Sequence, residues 1–502
     1  MCDHLTINKG YGVHKLRLKF PGDESLLFRD CHFQYEKGEK ILFLGPSGCG
    51  KSTLLQVLAG LIPHAVDVPM KAEQVVVPES TAMVFQDPDS QFCMTHVDEE
   101  IAFVLENLQI PREEMPAQIK KFLSAVGLHL EDVQTSIHKL SGGMKQRLAI
   151  ASAMALQPEV LFLDEPTALL DSEGTNQVWE TIRQLPEDQT LLIVEHKIEQ
   201  MLDVVDRIVL FRPDGTILAD GKKEEVLANY QEQLREYGIW YPGIWEDRLI
   251  DCSEVPITNQ ADSPLLALRD FQVLHSGNVK LHVSHADLYK GEWIAVMGKN
   301  GAGKSTMLQG IRQLLKTKGT LLYQGSPIKR GDLQEIGFVF QNPELQFVAS
   351  TVKDEVAYSV RQALKNPSEE EIDQVVRERL ERFALWEHHH KHPYQLSVGQ
   401  KRRLSVCATI HERHQILLLD EPTFGLDAQN TFSLLDWLEQ FSQSGTTIVM
   451  VTHSEEIADH YADRVWWIEE GRLQKVSSNG VDGKELADGG NRERDVASSS
   501  KS

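Results

Sequence analysis

The stretch GPSGCGKST fills Gly45–Thr53, and GKNGAGKST fills Gly298–Thr306. Both fit a glycine, four free positions, then Gly-Lys-Ser. Each follows a short apolar run, KILFL or EWIAVM, and each opens a helical pattern, STLLQVLAGL or STMLQGIRQLL. A strand feeding a glycine-rich turn and then a helix aims backbone N–H groups and the positive helix end at an anion. The first candidate phosphate cradle is Gly45, Pro46, Ser47, Gly48, Cys49, Gly50, Lys51, Ser52 and Thr53. The second is Gly298, Lys299, Asn300, Gly301, Ala302, Gly303, Lys304, Ser305 and Thr306. Lys51 and Lys304 can reach β- and γ-phosphates, and Ser52 and Ser305 can ligate Mg²⁺, so ATP and Mg²⁺ are the expected ligands. Chance gives one such match in roughly 2% of chains this long and two in far fewer, which sets the chance reading aside.

The chain repeats itself around these loops. VFQDPDSQF begins at Val84 and VFQNPELQF at Val339; LSGGMKQR begins at Leu140 and LSVGQKRR at Leu396; LFLDEPTALLD begins at Leu161 and LLLDEPTFGLD at Leu417. Partners stay nearly in register: Lys51 and Lys304 are 253 positions apart, His196 and His453 257. A near-constant offset across five motifs marks a duplicated domain of roughly 210–230 residues, too long a period for a solenoid. The expected organisation is a first domain over 1–232, a linker over 233–264, a second domain over 265–475, and a disordered Gly-, Ser- and charge-rich tail over 476–502. Aromatics in YGIWYPGIWEDRL imply that part of the linker packs on a domain. Buried runs such as VLFLD and TIVMV alternate with helical patterns, which predicts an α/β fold with a mainly parallel sheet in each copy.

Asp164 and Asp420 end apolar strands and are each followed by a glutamate, Glu165 and Glu421. The aspartates are candidate Mg²⁺ ligands, and the glutamates can polarise an attacking water. His196 and His453 close the next strand. A single histidine there is more often structural, but its recurrence in both copies favours a role in sensing the γ-phosphate.

Composition bounds the partners. The formal charge is −23, from 51 basic and 74 acidic residues, which disfavours a phosphate backbone as partner, and no nucleic acid is expected. The six cysteines form no C-x-x-C pair, so neither a zinc site nor a disulfide framework is indicated. The chain has no run of 18 apolar residues, so any membrane role must borrow its spans from other chains.

LSGGMKQR and LSVGQKRR carry the sequence beyond a generic P-loop enzyme: they resemble the signature of the ABC ATPases, across both halves. The resemblance implies two P-loop domains, each with a mainly parallel sheet and a helical signature subdomain, paired head to tail within the chain. It adds Ser141, Gly143, Ser397 and Gly399 as nucleotide contacts from the signatures and Asp171 and Asp427 from the D-loops. Gln86 and Gln341 would link Mg²⁺ and water to the transport partner, as metal ligands and catalytic groups, and Phe20 would stack on adenine. The adenine partner in the second copy, near Phe271 to His275, stays unassigned. Val398 stands where the first signature has Gly142.

The Pro-x-x-Gln-Phe extension after each glutamine resembles ATPases of energy-coupling factor (ECF) importers. That likeness implies a membrane T component docking on both domains, a substrate-binding S component, and a peripheral place on the cytoplasmic face of the cell membrane. Asp98, Glu99, Asp354 and Glu355 would be available to basic residues of the T component. Fused cassettes of this length resemble importer ATPases for thiamine or hydroxymethylpyrimidine. The alternatives are a fused sugar-importer ATPase and a soluble ABC-F ribosome ATPase. The first usually has a degraded second half, whereas Lys304, Glu421 and His453 are kept here. The second needs a long, charged linker, whereas the region between the domains is short and mixed, with Trp240 and Trp245 and no basic cluster.

Overall fold

The computed structural model describes residues 10–22, 25–46, 48–168, 170, 172–249, 263–329, 331–364 and 366–478. The chain divides into two compact units near residue 251.

In the first unit, β1 (Tyr11–Leu18) and β2 (Phe28–Tyr35) form an antiparallel layer with β4 (Met70–Lys71) and β5 (Gln74–Val76). A second sheet runs β10-β9-β3-β8-β7-β6, built from β3 (Lys40–Leu44), β6 (Thr81–Val84), β7 (Val160–Asp164), β8 (Thr190–Val194), β9 (Arg207–Phe211) and β10 (Ile217–Lys222). All its pairings are parallel except β9–β10. VLFLD and TLLIV are buried at every position. Unbroken burial is what a parallel strand covered on both faces requires, and it explains why these runs do not alternate. Phe43, Phe162, Leu192, Val194 and Phe211 lie in the core beneath the helix Lys51–Leu58.

The second unit joins its layers into one ten-stranded sheet, ordered β15-β14-β11-β12-β20-β19-β13-β18-β17-β16. Its strands are β11 (Leu266–His275), β12 (Asn278–Leu288), β13 (Trp293–Met297), β14 (Lys316–Tyr323), β15 (Ser326–Pro327), β16 (Ile336–Val339), β17 (Ile416–Asp420), β18 (Thr447–Val451), β19 (Arg464–Glu469) and β20 (Arg472–Ser478). The run β19-β13-β18-β17-β16 is parallel and matches the first unit strand for strand. The join rests on the pair His282–Arg472 between β12 and β20.

Three helices stand between the sixth and seventh strands of each unit. They are Val97–Asn107, Met115–Ala125 and Gly142–Ala155 in the first, and Val352–Ala363, Glu369–Arg382 and Val398–Thr409 in the second. After the first sheet, Ile239, Tyr241 and Ile244 are buried, and the Trp240 and Trp245 rings lie 5.8 Å apart. The last strand keeps Val476 and Ser477 paired with Trp466 and Val465.

Candidate functional site

The parallel strands end on one edge of each sheet, and the candidate residues gather there. β3 stops at Leu44, the chain turns through Gly45–Gly50, and the helix starts at Lys51. Gly45 has φ 153°, and a Cβ there would lie 2.9 Å from the Cβ of Phe211. Gly298 has φ 142°, and its Cβ would meet the Ile468 carbonyl at 2.1 Å. No side chain fits either turn, which is why glycine opens each loop. Gly50 and Gly303 enter their helices in the left-handed region, with φ 101° and 110°. The first N–H groups of an α-helix have no partner inside it, so those at each loop's end are available to phosphate oxygens.

Lys51 is buried, and its ammonium donates to the carbonyls of Gly45 at 2.7 Å and Pro46 at 2.9 Å. Lys304 repeats this with Gly298 at 2.7 Å and Lys299 at 3.1 Å. Each lysine thus lies over its own loop, a place from which a polyphosphate can draw the ammonium away.

Beside the loop, Ser52 Oγ donates to Asp164 Oδ1 at 2.7 Å, and Ser305 Oγ to Asp420 Oδ1 at 3.0 Å. Burial pushes both aspartates up to about 6, against the serine hydrogen bond in each case. Hydroxyl, carboxylate and amide oxygens form the hard donor set that Mg²⁺ takes. A buried carboxylate with too little positive charge around it is also what a divalent cation would satisfy. The residues therefore fit a Mg–nucleotide.

One residue on, the backbone of Glu165 enters the left-handed region at φ 48°, and that of Glu421 at φ 50°. This turns both side chains out of the strand direction. Gln86 Nε2 donates to Glu165 Oε2 at 2.8 Å, and His196 Nε2 lies 3.0 Å from Oε1. Gln341 and His453 bracket Glu421 in the same way at 3.2 and 3.1 Å. Burial would raise both glutamates, but the histidine contacts, together with Lys51 in the first site and Lys304 and Gln341 in the second, outweigh it and hold them below the usual range. Each site thus sets a carboxyl that keeps its proton more readily beside one that gives it up.

The Pro-x-x-Gln-Phe extension has a local cause. Asp87 Oδ1 accepts from Asp89 N, and Asn342 Oδ1 from Glu344 N, with proline at the first turn position. Gln91 Oε1 then accepts from Phe85 N at 3.0 Å, and Gln346 Oε1 from Phe340 N at 3.4 Å. Each carboxamide closes a loop beginning next to Gln86 or Gln341. The turn is tied to the signature helix by Lys145–Asp89 at 2.7 Å and Lys401–Glu344 at 2.5 Å.

Ser141 and Ser397 cap the signature helices, accepting from Met144 N and Gln400 N, each at 3.3 Å. A Cβ on Gly143 would lie 3.1 Å from Gly174 Cα, whereas one on Gly399 would sit 3.5 Å from the Gly425 carbonyl. Phe20 is 36% exposed just after β1. Phe271 is buried in the second core and His275 is exposed. Asp427 directly precedes the helix Ala428–Gln443. Ser47 and Asp171 lie outside the described residues.

Glu355 does not stand free for a basic partner. It is 5% exposed, and its Oε2 accepts from Val348 N and Ala349 N at 2.9 and 2.7 Å. Its structural counterpart is Glu100, which accepts from Cys93 N and Met94 N at 3.0 and 2.9 Å. A helix-start carboxylate capping the preceding loop overrides the exposed reading. Glu99 remains half exposed, beside His96 at 3.1 Å.

Two buried residues beside the expected site residues, Arg402 within LSVGQKRR and Glu195 before His196, were given no role by the motifs. Arg402 donates to the carbonyls of Phe340, at 2.9 Å, and Gln341. Burial lowers its guanidinium to about 10, while Glu421 and Asp420 act the other way. The first unit has Gln146 there, with one weaker bond to the Phe85 carbonyl at 3.3 Å. Glu195 is likewise buried, directly before His196.

Comparison with known proteins agrees with this geometry. The ABC transporter family profile matches residues 28–168 and 281–424. A Bacillus subtilis protein named "Putative HMP/thiamine import ATP-binding protein YkoD" is 34% identical, over 90% of this chain and 88% of its own length. A Sulfurisphaera tokodaii protein named "Putative ABC transporter ATP-binding protein" is 34% identical, over 93% of this chain and 98% of its own. Among solved structures, an RNase-L Inhibitor aligns with a TM-score of 0.62 over 92% of this chain and 90% of its own. At 20% identity it shares the fold alone.

Proposed function

The chain belongs to the ABC transporter family of ATP-binding proteins, as an ATPase coupled to transport with two cassettes in one polypeptide, and we propose that it powers an ECF-type importer of thiamine or its hydroxymethylpyrimidine precursor. The observation carrying the finer reading is the relative named for HMP/thiamine import, similar along nearly the whole chain.

In this reading each cassette hydrolyses its own ATP. The loop amides and Lys51 or Lys304 hold the phosphates. Ser52 and Asp164, or Ser305 and Asp420, with Gln86 or Gln341, would hold Mg²⁺, which offsets negative charge on the phosphate oxygens. Glu165 or Glu421, kept ionised, accepts a hydrogen bond from the attacking water and takes up its proton as the oxygen bonds to the γ-phosphorus and the bond to ADP breaks. His196 or His453 fixes the glutamate from the other side.

The T component would dock on the closed turn after each glutamine. In the second cassette that turn exposes Leu345 at 70% and Val348 at 72%, and Tyr358 on the following helix is 57% exposed. Large apolar side chains this open suit a partner surface. Through Lys401–Glu344 and Lys145–Asp89, movement of the turn would reach the signature helix. No helix among the described residues is long and apolar enough to cross a membrane, so the membrane subunits would be other chains, and this one a peripheral subunit.

Affinity purification of the full chain from membranes of its host, followed by identification of the co-purifying membrane subunits, tests the reading. Recovery with a T component and a thiamine- or pyrimidine-binding S component is the expected result. Recovery with sugar-importer permeases, or with ribosomes, would refute it.

A further inference from the structure

Glu195 is 3% exposed at the end of β8, between the last core residue Val194 and His196. Its Oε1 accepts from the Thr167 hydroxyl at 2.7 Å, and Thr167 lies on the turn that begins with Glu165. Oε2 is buried and has no hydrogen-bond partner among the described residues. The second cassette has Thr452 here, which accepts from Ser454 N at 3.1 Å instead of reaching across to the Glu421 turn. The brace is therefore particular to the first site.

We propose that Glu195 is a positioning residue of the first ATP site, whose buried carboxyl ties the Glu165 turn to the strand end bearing His196 and, while it keeps its proton, adds no further negative charge beside Glu165. This rests on Glu165 being the residue that polarises water.

The chemistry follows from burial. An isolated buried carboxylate is strongly disfavoured, whereas the acid form is neutral and still accepts a hydrogen bond at its carbonyl oxygen. Burial, with Glu165 adding to it, pushes Glu195 up to about 8, against the Thr167 hydrogen bond and Lys197. The charged and titratable groups around it are thus Glu165, His196 and Lys197. Near neutral pH Glu195 is uncharged and adds nothing to the negative charge of Glu165 beside His196. When Glu195 loses its proton the pocket must hold one more anion. Repulsion then raises the proton affinity of Glu165 and weakens the site for a polyanionic nucleotide. The Lys304 site has Thr452 in this place.

The sign for stability follows from the same shift. Glu195 binds its proton more tightly folded than unfolded. Its contribution is complete below the ordinary glutamate range and is lost as pH rises to about 8.

The test isolates one site in the full-length chain. With Glu421→Gln silencing the second cassette, steady-state ATPase activity should fall about tenfold between pH 7 and 9, following the protonated fraction of a group titrating near 8. Glu195→Gln, an isostere of the protonated acid, should keep the neutral activity and abolish the alkaline fall. Glu195→Thr should lower kcat at pH 7. With Glu165→Gln instead, the second site alone should show no such fall. A readout without nucleotide uses thermal unfolding: the advantage of Glu195→Gln over the native chain should grow from pH 5 to 8 and then level off. The proposal is overturned if the single-site native chain lacks the alkaline fall, or if Glu195→Gln retains it. If the Glu165→Gln/Glu421→Gln chain still hydrolyses ATP, it is the assignment of the water-polarising glutamates that fails.

Discussion

Asp164 and Asp420 make an apo chain that is less stable because of its own candidate metal ligands. Both are buried, and burial raises both to about 6. A carboxyl whose pKa is about two higher folded than unfolded binds its proton more tightly in the folded state. Its stabilising contribution is present below the ordinary aspartate range and is lost as pH rises to about 6, at a limiting cost of ~3 kcal/mol per site at neutral pH. Asp164→Asn removes the charge and keeps an oxygen to accept from Ser52. We predict that Asp164→Asn and Asp420→Asn each stabilise the nucleotide-free chain in EDTA at pH 7.5. At about 2–4 °C per kcal/mol for units of this size, the limiting gain is ~6–12 °C in the affected unit's transition. At pH 5 the gain should be roughly half as large, since part of each native aspartate is then protonated. Mg–ATP should reverse the order, raising the native Tm and leaving the Asn variants little changed. Scanning calorimetry at the two pH values, with and without Mg–ATP, reads all of this. An Asn variant that melts at or below the native temperature at pH 7.5, or a gap independent of pH, would refute the argument.

Native chain should bind two ATP by equilibrium dialysis, and Lys51→Ala or Lys304→Ala one; two bound in either variant would place the phosphates elsewhere. Glu165→Gln and Glu421→Gln should keep nucleotide binding while each lowers turnover at its own site by ~10²–10⁴, the range of a general base; single-turnover assays with the other site silenced decide this. Leu345→Ser/Val348→Ser should weaken recovery of membrane subunits and leave the isolated chain's ATPase rate within about twofold, because surface changes away from the site perturb little. Unchanged recovery would move the docking surface off this turn.

Much of each candidate site was legible because the residues it gathers are tied to chain-local geometry. Lys51 follows its loop by a fixed spacing, and Asp164–Glu165 mark the end of a buried strand, so the motifs also reported where strands stop. The parallel sheet was legible for a related reason: runs such as VLFLD are buried on both faces and lack alternation. What could not be read were contacts that no residue type or spacing marks. Glu355 looks like any helix-start acid until Val348 N and Ala349 N are found on its carboxylate. Lys401 and Glu344 are separated by 57 positions, and neither residue type marks a pair. The joining of the second unit's layers through β12 and β20 depends on a single pair that no local pattern encodes.

The duplicated motifs make the two sites look alike, and the residues behind them make the sites differ. Each candidate catalytic glutamate is held by the same glutamine and histidine, so the atoms nearest the proposed reaction are matched. The support is not. The first site has the Glu195 carboxyl behind its histidine and the neutral Gln146 behind its glutamine. The second has Thr452 and the Arg402 guanidinium, which brackets the Gln341 backbone and lies near two carboxylates. A buried cation near Glu421 favours its ionised form, whereas an acid near Glu165 leaves that form unopposed only while the acid stays neutral. Inequality between the sites should therefore vary with pH, being smallest where Glu195 is protonated and widening above it.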